Sequence, residues 1–188
     1  MMGEGKIYVE KIKDIPQEKL FEKAYQLGLY YERKAHCCAQ GTVGALEELF
    51  GIEDENLFKA SYSLCGGLGN TTKGTCGALS GGAMIIGYIY GRDRKEFDEN
   101  ISNRKASYLS KLLYERFIQE YGSCLCKDVQ LKLFGRTFDF WNDEDRIVFD
   151  REGGHDDKCP VVVAKVCVWA VEIIRENYDF SLPQEAKE

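Results

Sequence analysis

The stretch Cys159-Pro160-Val161-Val162-Val163-Ala164-Lys165-Val166-Cys167-Val168-Trp169-Ala170-Val171-Glu172-Ile173-Ile174 decides the fold of this 188-residue chain. Apart from Lys165 and Glu172 it is apolar on nearly every face of a helix, so it reads as a helix buried on all sides. Pro160 suits the first helical turn, where its missing N–H has no partner to lose. The run is short of the roughly 20 residues that span a bilayer, and so is the other long apolar run, Ala78–Tyr90. Both are core helices, and other helices must cover them.

Those other helices are visible on the N-terminal side. Ile101, Ala106, Leu109, Leu112, Leu113, Phe117 and Ile118 recur at helical spacing over Asn100–Tyr121, and Gly122 ends the run. Ser123 is placed to cap a helix over Cys124–Phe134. Helices are also expected over Cys38–Phe50, stopped by Gly51, over Glu55–Ser63, and from Pro16 through Leu20, Phe21, Ala24, Leu27 and Tyr31. Cys76–Tyr90 reads as a helix despite Gly77, Gly81, Gly82 and Gly87. Each interior glycine costs about 1 kcal/mol against alanine; close approach of another backbone or of a bulky cofactor would offset that. The turn-rich loop Cys65–Cys76 precedes it.

Thr137-Phe138-Asp139-Phe140-Trp141 and Arg146-Ile147-Val148-Phe149 flank the polar Asn142-Asp143-Glu144-Asp145, a pattern that predicts a small β-hairpin near 137–149. The aromatic residues there pin the hairpin to the core. Residues 179–188 read as a loose tail. The expected fold is all-α: a single cysteine-rich helical domain over 1–188, with six or seven helices and that one hairpin.

Net charge is −6 with no Lys/Arg run, which argues against nucleic acid or an anionic membrane as partner. The first residues lack the basic start and apolar stretch of a signal peptide, so a cytoplasmic location is expected, where thiols stay reduced and structural disulfides are rare. Eight cysteines then point to metal or redox chemistry.

Four of them, Cys38, Cys76, Cys126 and Cys159, fall at expected helix starts. The unpaired N–H groups and positive dipole end there favour thiolate, the form that binds metal or attacks disulfides. Four such sulfurs suit an iron–sulfur cluster, zinc or thiol redox work. Cys167 reads as a small core hydrophobe. Cys37 is the neighbour of Cys38, and adjacent helical residues point about 100° apart, so both are not expected on one metal ion. Cys124 and Cys126 have C-x-C spacing, suited to a shared metal site in an extended turn. Cys65, at the loop entrance, is open to three roles: a fifth ligand, a ligand exchanged during redox, or a resolving thiol. His36 abuts Cys37 and stays open as a thiol assistant or ligand, whereas His155 reads as a loop residue. Gly69-Asn70-Thr71-Thr72-Lys73-Gly74 fails as a phosphate loop because Lys73 precedes the second glycine.

Four segments taken in order carry a resemblance. Cys38-Ala39-Gln40, Gly74-Thr75-Cys76-Gly77-Ala78-Leu79-Ser80-Gly81, Gly122-Ser123 with Cys126, and Lys158-Cys159 together resemble the redox-active protein family named for its pattern, C_GCAxxG_C_C, from about His36 to Trp169. Thr75 and Gly77 depart from the bare spelling. The resemblance implies a helical domain whose four pattern cysteines act together, and kinship with the cluster-binding domain of split-Soret cytochrome c, which is associated with a two-iron centre. The chain has no C-x-x-C-H, so c-type haem is not expected.

The leading expectation is an iron–sulfur electron-transfer protein, 2Fe-2S favoured over 4Fe-4S, with Cys38, Cys76, Cys126 and Cys159 as ligands and a redox protein as partner. A metal-free thiol–disulfide oxidoreductase and a structural zinc-binding interaction module are the alternatives. Whether the chain is itself an enzyme or a component of an oxidoreductase, and whether it forms a homodimer, stay open.

Overall fold

The computed structural model describes residues 4–177, so the expected tail over 179–188 lies outside the described residues. Ten α-helices follow one another there: α1 (Glu4–Lys13), α2 (Gln17–Ala35), α3 (Cys38–Phe50), α4 (Glu55–Ser61), α5 (Gly77–Tyr90), α6 (Arg94–Asp98), α7 (Arg104–Tyr121), α8 (Cys126–Phe134), α9 (Asp143–Arg151) and α10 (Cys159–Glu176). A 3-10 turn over Tyr62–Leu64 and a π-helical turn over Gly154–Lys158 complete them. β pairing among the described residues is limited to an isolated antiparallel bridge between Thr75 and Leu125. The all-α class is as expected; the helix number is higher.

The hairpin expected near 137–149 is not formed, and α9 occupies its second half. The Asn142 side chain accepts a hydrogen bond from the Asp145 N–H at 3.1 Å, and Asp143, Glu144 and Asp145 fill the first turn. An N-cap and three acids at the positive end of the dipole favour a helix there. Phe149 is buried while Ile147 is exposed, which is a helical division of sides. Residues 137–141 are irregular backbone, held by the Gln130 side chain, which accepts from the Phe138 N–H at 2.9 Å. Two further helices lacked a strong apolar period: α1, and the five-residue α6, which is closed by a capping box between Asp93 and Glu96.

α10 is central, as its composition requires. Val162, Val163, Ala164, Val166, Cys167, Ala170, Val171, Ile173 and Ile174 are all buried, and α10 packs against α2, α3, α5 and α7. Each fully buried Val or Ile contributes about 1.5–3 kcal/mol. At the crossing with α2 the two backbones touch: a Cβ on Gly28 would stand 2.6 Å from Ala164 Cα. α3 and α5 approach as closely, since a Cβ on Gly81 would stand 2.7 Å from the Ala39 carbonyl oxygen. The glycine content of α5 is thus explained in part by backbone approach. These close crossings set where the starts of α3, α5 and α10 lie.

Candidate functional site

Each pattern cysteine stands at a helix start. Cys38 opens α3 after a turn in which His36 takes a left-handed conformation, φ 50°. Cys76 is the N-cap of α5. Cys126 opens α8, and Cys159 opens α10, with Pro160 in its first turn. The structure brings all four to the wall of one cavity of about 410 Å³. Backbone hydrogen bonds fix their relative positions. The Cys76 N–H donates to the Cys124 carbonyl at 2.7 Å, the Cys126 N–H to Gly74 at 3.0 Å, and the Lys127 N–H to Thr72 at 2.8 Å.

The loop between Cys65 and Cys76 forms one side of the site. Five successive residues, Gly66 to Asn70, lie in the left-handed region, with φ between 56° and 69°, and Thr72 joins them at 61°. Glycine is at ease there and asparagine is tolerated, but the conformation is costly for Leu68 and Thr72. The Leu68, Gly69 and Asn70 N–H groups donate to the Leu64, Ser63 and Cys65 carbonyls, while the Gly66 N–H at the start of the turn and the Gly77 N–H donate to the Cys38 sulfur. A Cβ on Gly67 would stand 2.7 Å from Cys126 Cβ, so only glycine lets the loop lie on that cysteine. Across the opening, Trp141 Nε1–H donates to the Gly69 carbonyl at 3.1 Å. Trp141 and Tyr62 line the cavity and are 77% and 66% exposed, so they form its rim.

Cys37 and Cys65 are joined by a disulfide, with Cα atoms 5.4 Å apart and a sequence separation of 28. Both line the cavity. With Ala39 and Leu64 they form a small apolar cluster separate from the main core. This excludes Cys65 as a fifth ligand in the oxidised state described here and fits the role of a redox partner thiol better. Cys124 is half-buried against the core and does not line the cavity, so the C-x-C pair is not brought to one site. Cys167 is fully buried in the core, as expected.

Cys38, Cys126 and Cys159 are not activated as the helix-start argument anticipated. The hydrogen bond to Cys76, then burial, hold the Cys38 thiol well above its usual range. Burial, then the nearby Cys38, push Cys126 up to about 12, against a hydrogen bond from Gln130. Burial, then Glu32, raise Cys159 well above the ordinary thiol value. At Cys38, Cys126 and Cys159 burial and the neighbouring groups disfavour ionisation more than the helix starts favour it. A cationic group among them would reverse that balance.

Sequence reasoning did not find Glu32, Gln130 or the role of His155. Glu32 is 1% exposed, lines the cavity, and has an unpartnered Oε2; burial, then Cys38, hold its carboxyl well above the carboxylate range. His155 stacks on His36 and reaches toward Glu32 and Asp150 at 3.9 and 3.6 Å. Gln130 Nε2 lies 3.7 Å from Cys126 Sγ; its place four residues after Cys126 is the one signal that could have marked it. Phe138, Phe140 and Phe149, with Phe134, pack on one another beside the cavity and hold α9, whereas Trp141 of the expected aromatic group is exposed and there is no hairpin to pin.

Among the described residues, no three His, Cys, Asp or Glu side chains gather as ligands of a single ion. The donor chemistry fits a group held by cysteine sulfur: Cys38, Cys76, Cys126 and Cys159 line one cavity, with N–H groups directed at Cys38. A family model described as "Putative redox-active protein (C_GCAxxG_C_C)" matches residues 36–173. The chain belongs to this family. All six cysteines that line the cavity, the four pattern cysteines and the Cys37–Cys65 pair, lie within the matched span. No curated protein matches the chain, and no solved structure does. None of the described helices is long and apolar enough to cross a membrane.

Proposed function

We propose that the chain is an electron-transfer protein in which Cys38, Cys76, Cys126 and Cys159 hold an iron–sulfur cluster, 2Fe-2S in preference to 4Fe-4S. One observation carries the reading: four helix starts far apart in sequence deliver these cysteines, and only these among the free cysteines, to one cavity. The group would supply one-electron chemistry and the positive charge that the four crowded sulfurs call for. The protein's own part is to orient the sulfurs and to donate N–H···S bonds from Gly66 and Gly77, which raise a cluster's potential. Gln130 places a further donor at Cys126. The physiological partner would be a redox protein that approaches the rim at Tyr62 and Trp141.

The Cys37–Cys65 disulfide on the same cavity supports a second reading, thiol–disulfide exchange without metal. One preparation separates the readings. Protein purified without oxygen is analysed for iron, acid-labile sulfide and zinc, with a visible spectrum. Iron with matching sulfide supports the cluster. Colourless protein without iron removes it, and the zinc content then separates a structural zinc module from a metal-free thiol protein.

A further inference from the structure

The Cys37–Cys65 bond sits where a structural staple has little to do. The main core joins helices from α1 to α10 without it, and the bond lies in its own small cluster under the cavity wall. Both sulfur-bearing residues face the cavity, whose rim opens between Tyr62 and Trp141. Cys37 is the N-cap of the 13-residue α3, and Cys65 stands immediately before the left-handed turn over Gly66–Asn70, so the bond ties two parts of the cavity wall. The turn is held by its own backbone hydrogen bonds, among them Thr72 N–H to the Gly66 carbonyl at 2.8 Å, so the wall does not depend on the bond.

We infer that Cys37 and Cys65 form a second redox site, a dithiol–disulfide couple that exchanges with small dithiols entering the cavity. The incoming thiolate attacks Cys65 Sγ, the S–S bond breaks, and Cys37 leaves as the thiolate. The second thiol of the reductant then attacks its own sulfur in the mixed disulfide and releases Cys65. The reductant ends as a cyclic disulfide, and its two protons end on Cys37 and Cys65. Two electrons have moved, and every atom is accounted for. The couple does not need the four-cysteine site to be loaded, so it stands or falls apart from the cluster reading.

The test uses the full chain and two probes. Protein is equilibrated with reduced and oxidised dithiothreitol, quenched by alkylation, and mapped by mass spectrometry while circular dichroism follows the helices. The expected result is reversible conversion of Cys37–Cys65 with the helical signal intact. In C37S, oxidised glutathione should leave one mixed disulfide per chain on Cys65, because the thiol that would resolve it is gone. Reduction only on unfolding would make the bond a staple and overturn the inference. So would recovery of both residues as free thiols under every oxidised condition, or absence of the Cys65 adduct in C37S of intact helicity. Iron and sulfide content, read on the same samples, reports on the cluster separately.

Discussion

His36 and His155 lie flat on one another, ring centroids 4.1 Å apart and planes 4° from parallel. The stack joins the turn before α3 to the π-helical turn before α10, and so the approaches to Cys38 and Cys159. Two charged imidazoles could not share it. Burial, then the neighbouring His36, lower His155 to about 4, and Asp150 and Asp156 only partly oppose this.

A pH dependence follows from that depressed value. Between about pH 6.5 and 4 the unfolded chain takes up a proton at residue 155 that the folded chain refuses. Stability contributed here is therefore complete above pH 6.5 and falls as pH drops through the window, by about 3 kcal/mol at most. H155F keeps a ring on His36 and removes the titration. Urea unfolding at pH 4.5 and 7 should show a smaller difference for H155F than for the parent; an unchanged difference would place the acid sensitivity elsewhere.

Two glycine substitutions should move stability in opposite directions. At Gly28 a methyl would press on the Ala164 backbone, Cα at 2.6 Å and N at 2.9 Å, and backbone cannot turn aside. G28A should destabilise by about 2 kcal/mol net of its helix-propensity gain, a fall in Tm of about 4–8 °C. At Gly87 a methyl meets nothing within 4 Å, so G87A should gain about 0.5–1 kcal/mol. Thermal unfolding of the pair checks both; equal shifts would remove the α2–α10 backbone contact as the reason for glycine at 28.

The contrast between these glycines shows how far the sequence could be read. Gly28 and Gly87 both sit in helical patterns, and nothing local says which one touches a neighbour. The starts of α3, α5 and α10 were legible because Gly, Pro and a change of period mark them, whereas α8 begins at Cys126 and not at Cys124, because the Ser123 hydroxyl accepts from the Leu125 N–H and donates to Asp128 in the turn before the helix. α9 was misread because β-prone Phe138, Phe140, Ile147 and Val148 outweighed the Asn142 cap, although the cap and its acidic turn were in plain view. The Cys37–Cys65 bond and the meeting of Glu32 with His155 are contacts over 28 and 123 residues, set by how helices cross. Periodicity carries no signal for either.

Gln130 serves two buried partners at once. Its Oε1 accepts from the Phe138 N–H at 2.9 Å, and its Nε2 faces Cys126 Sγ at 3.7 Å. Q130L would leave the Phe138 N–H without an acceptor in a buried place, a cost of about 1–3 kcal/mol. It would also remove the one contact that holds the Cys126 thiol down against burial. Iodoacetamide should then label Cys126 more slowly in metal-free protein. Faster labelling would mean that the side chain acts mainly as a cover over the sulfur.

The four cysteines at helix starts should fail as a set. C38S, C76S, C126S and C159S each remove one sulfur from the shared cavity, so each is expected to lose most of the iron, the labile sulfide and the visible absorption of anaerobically purified protein. C167A is the control: Cys167 is fully buried within α10 and away from the cavity. It should lower stability by about 1 kcal/mol through the small space it leaves while iron and sulfide stay at parent levels. Metal analysis beside circular dichroism separates loss of the group from loss of the fold. Retention of iron and labile sulfide in all four serine variants would mean that other residues hold the metal and would overturn this ligand set.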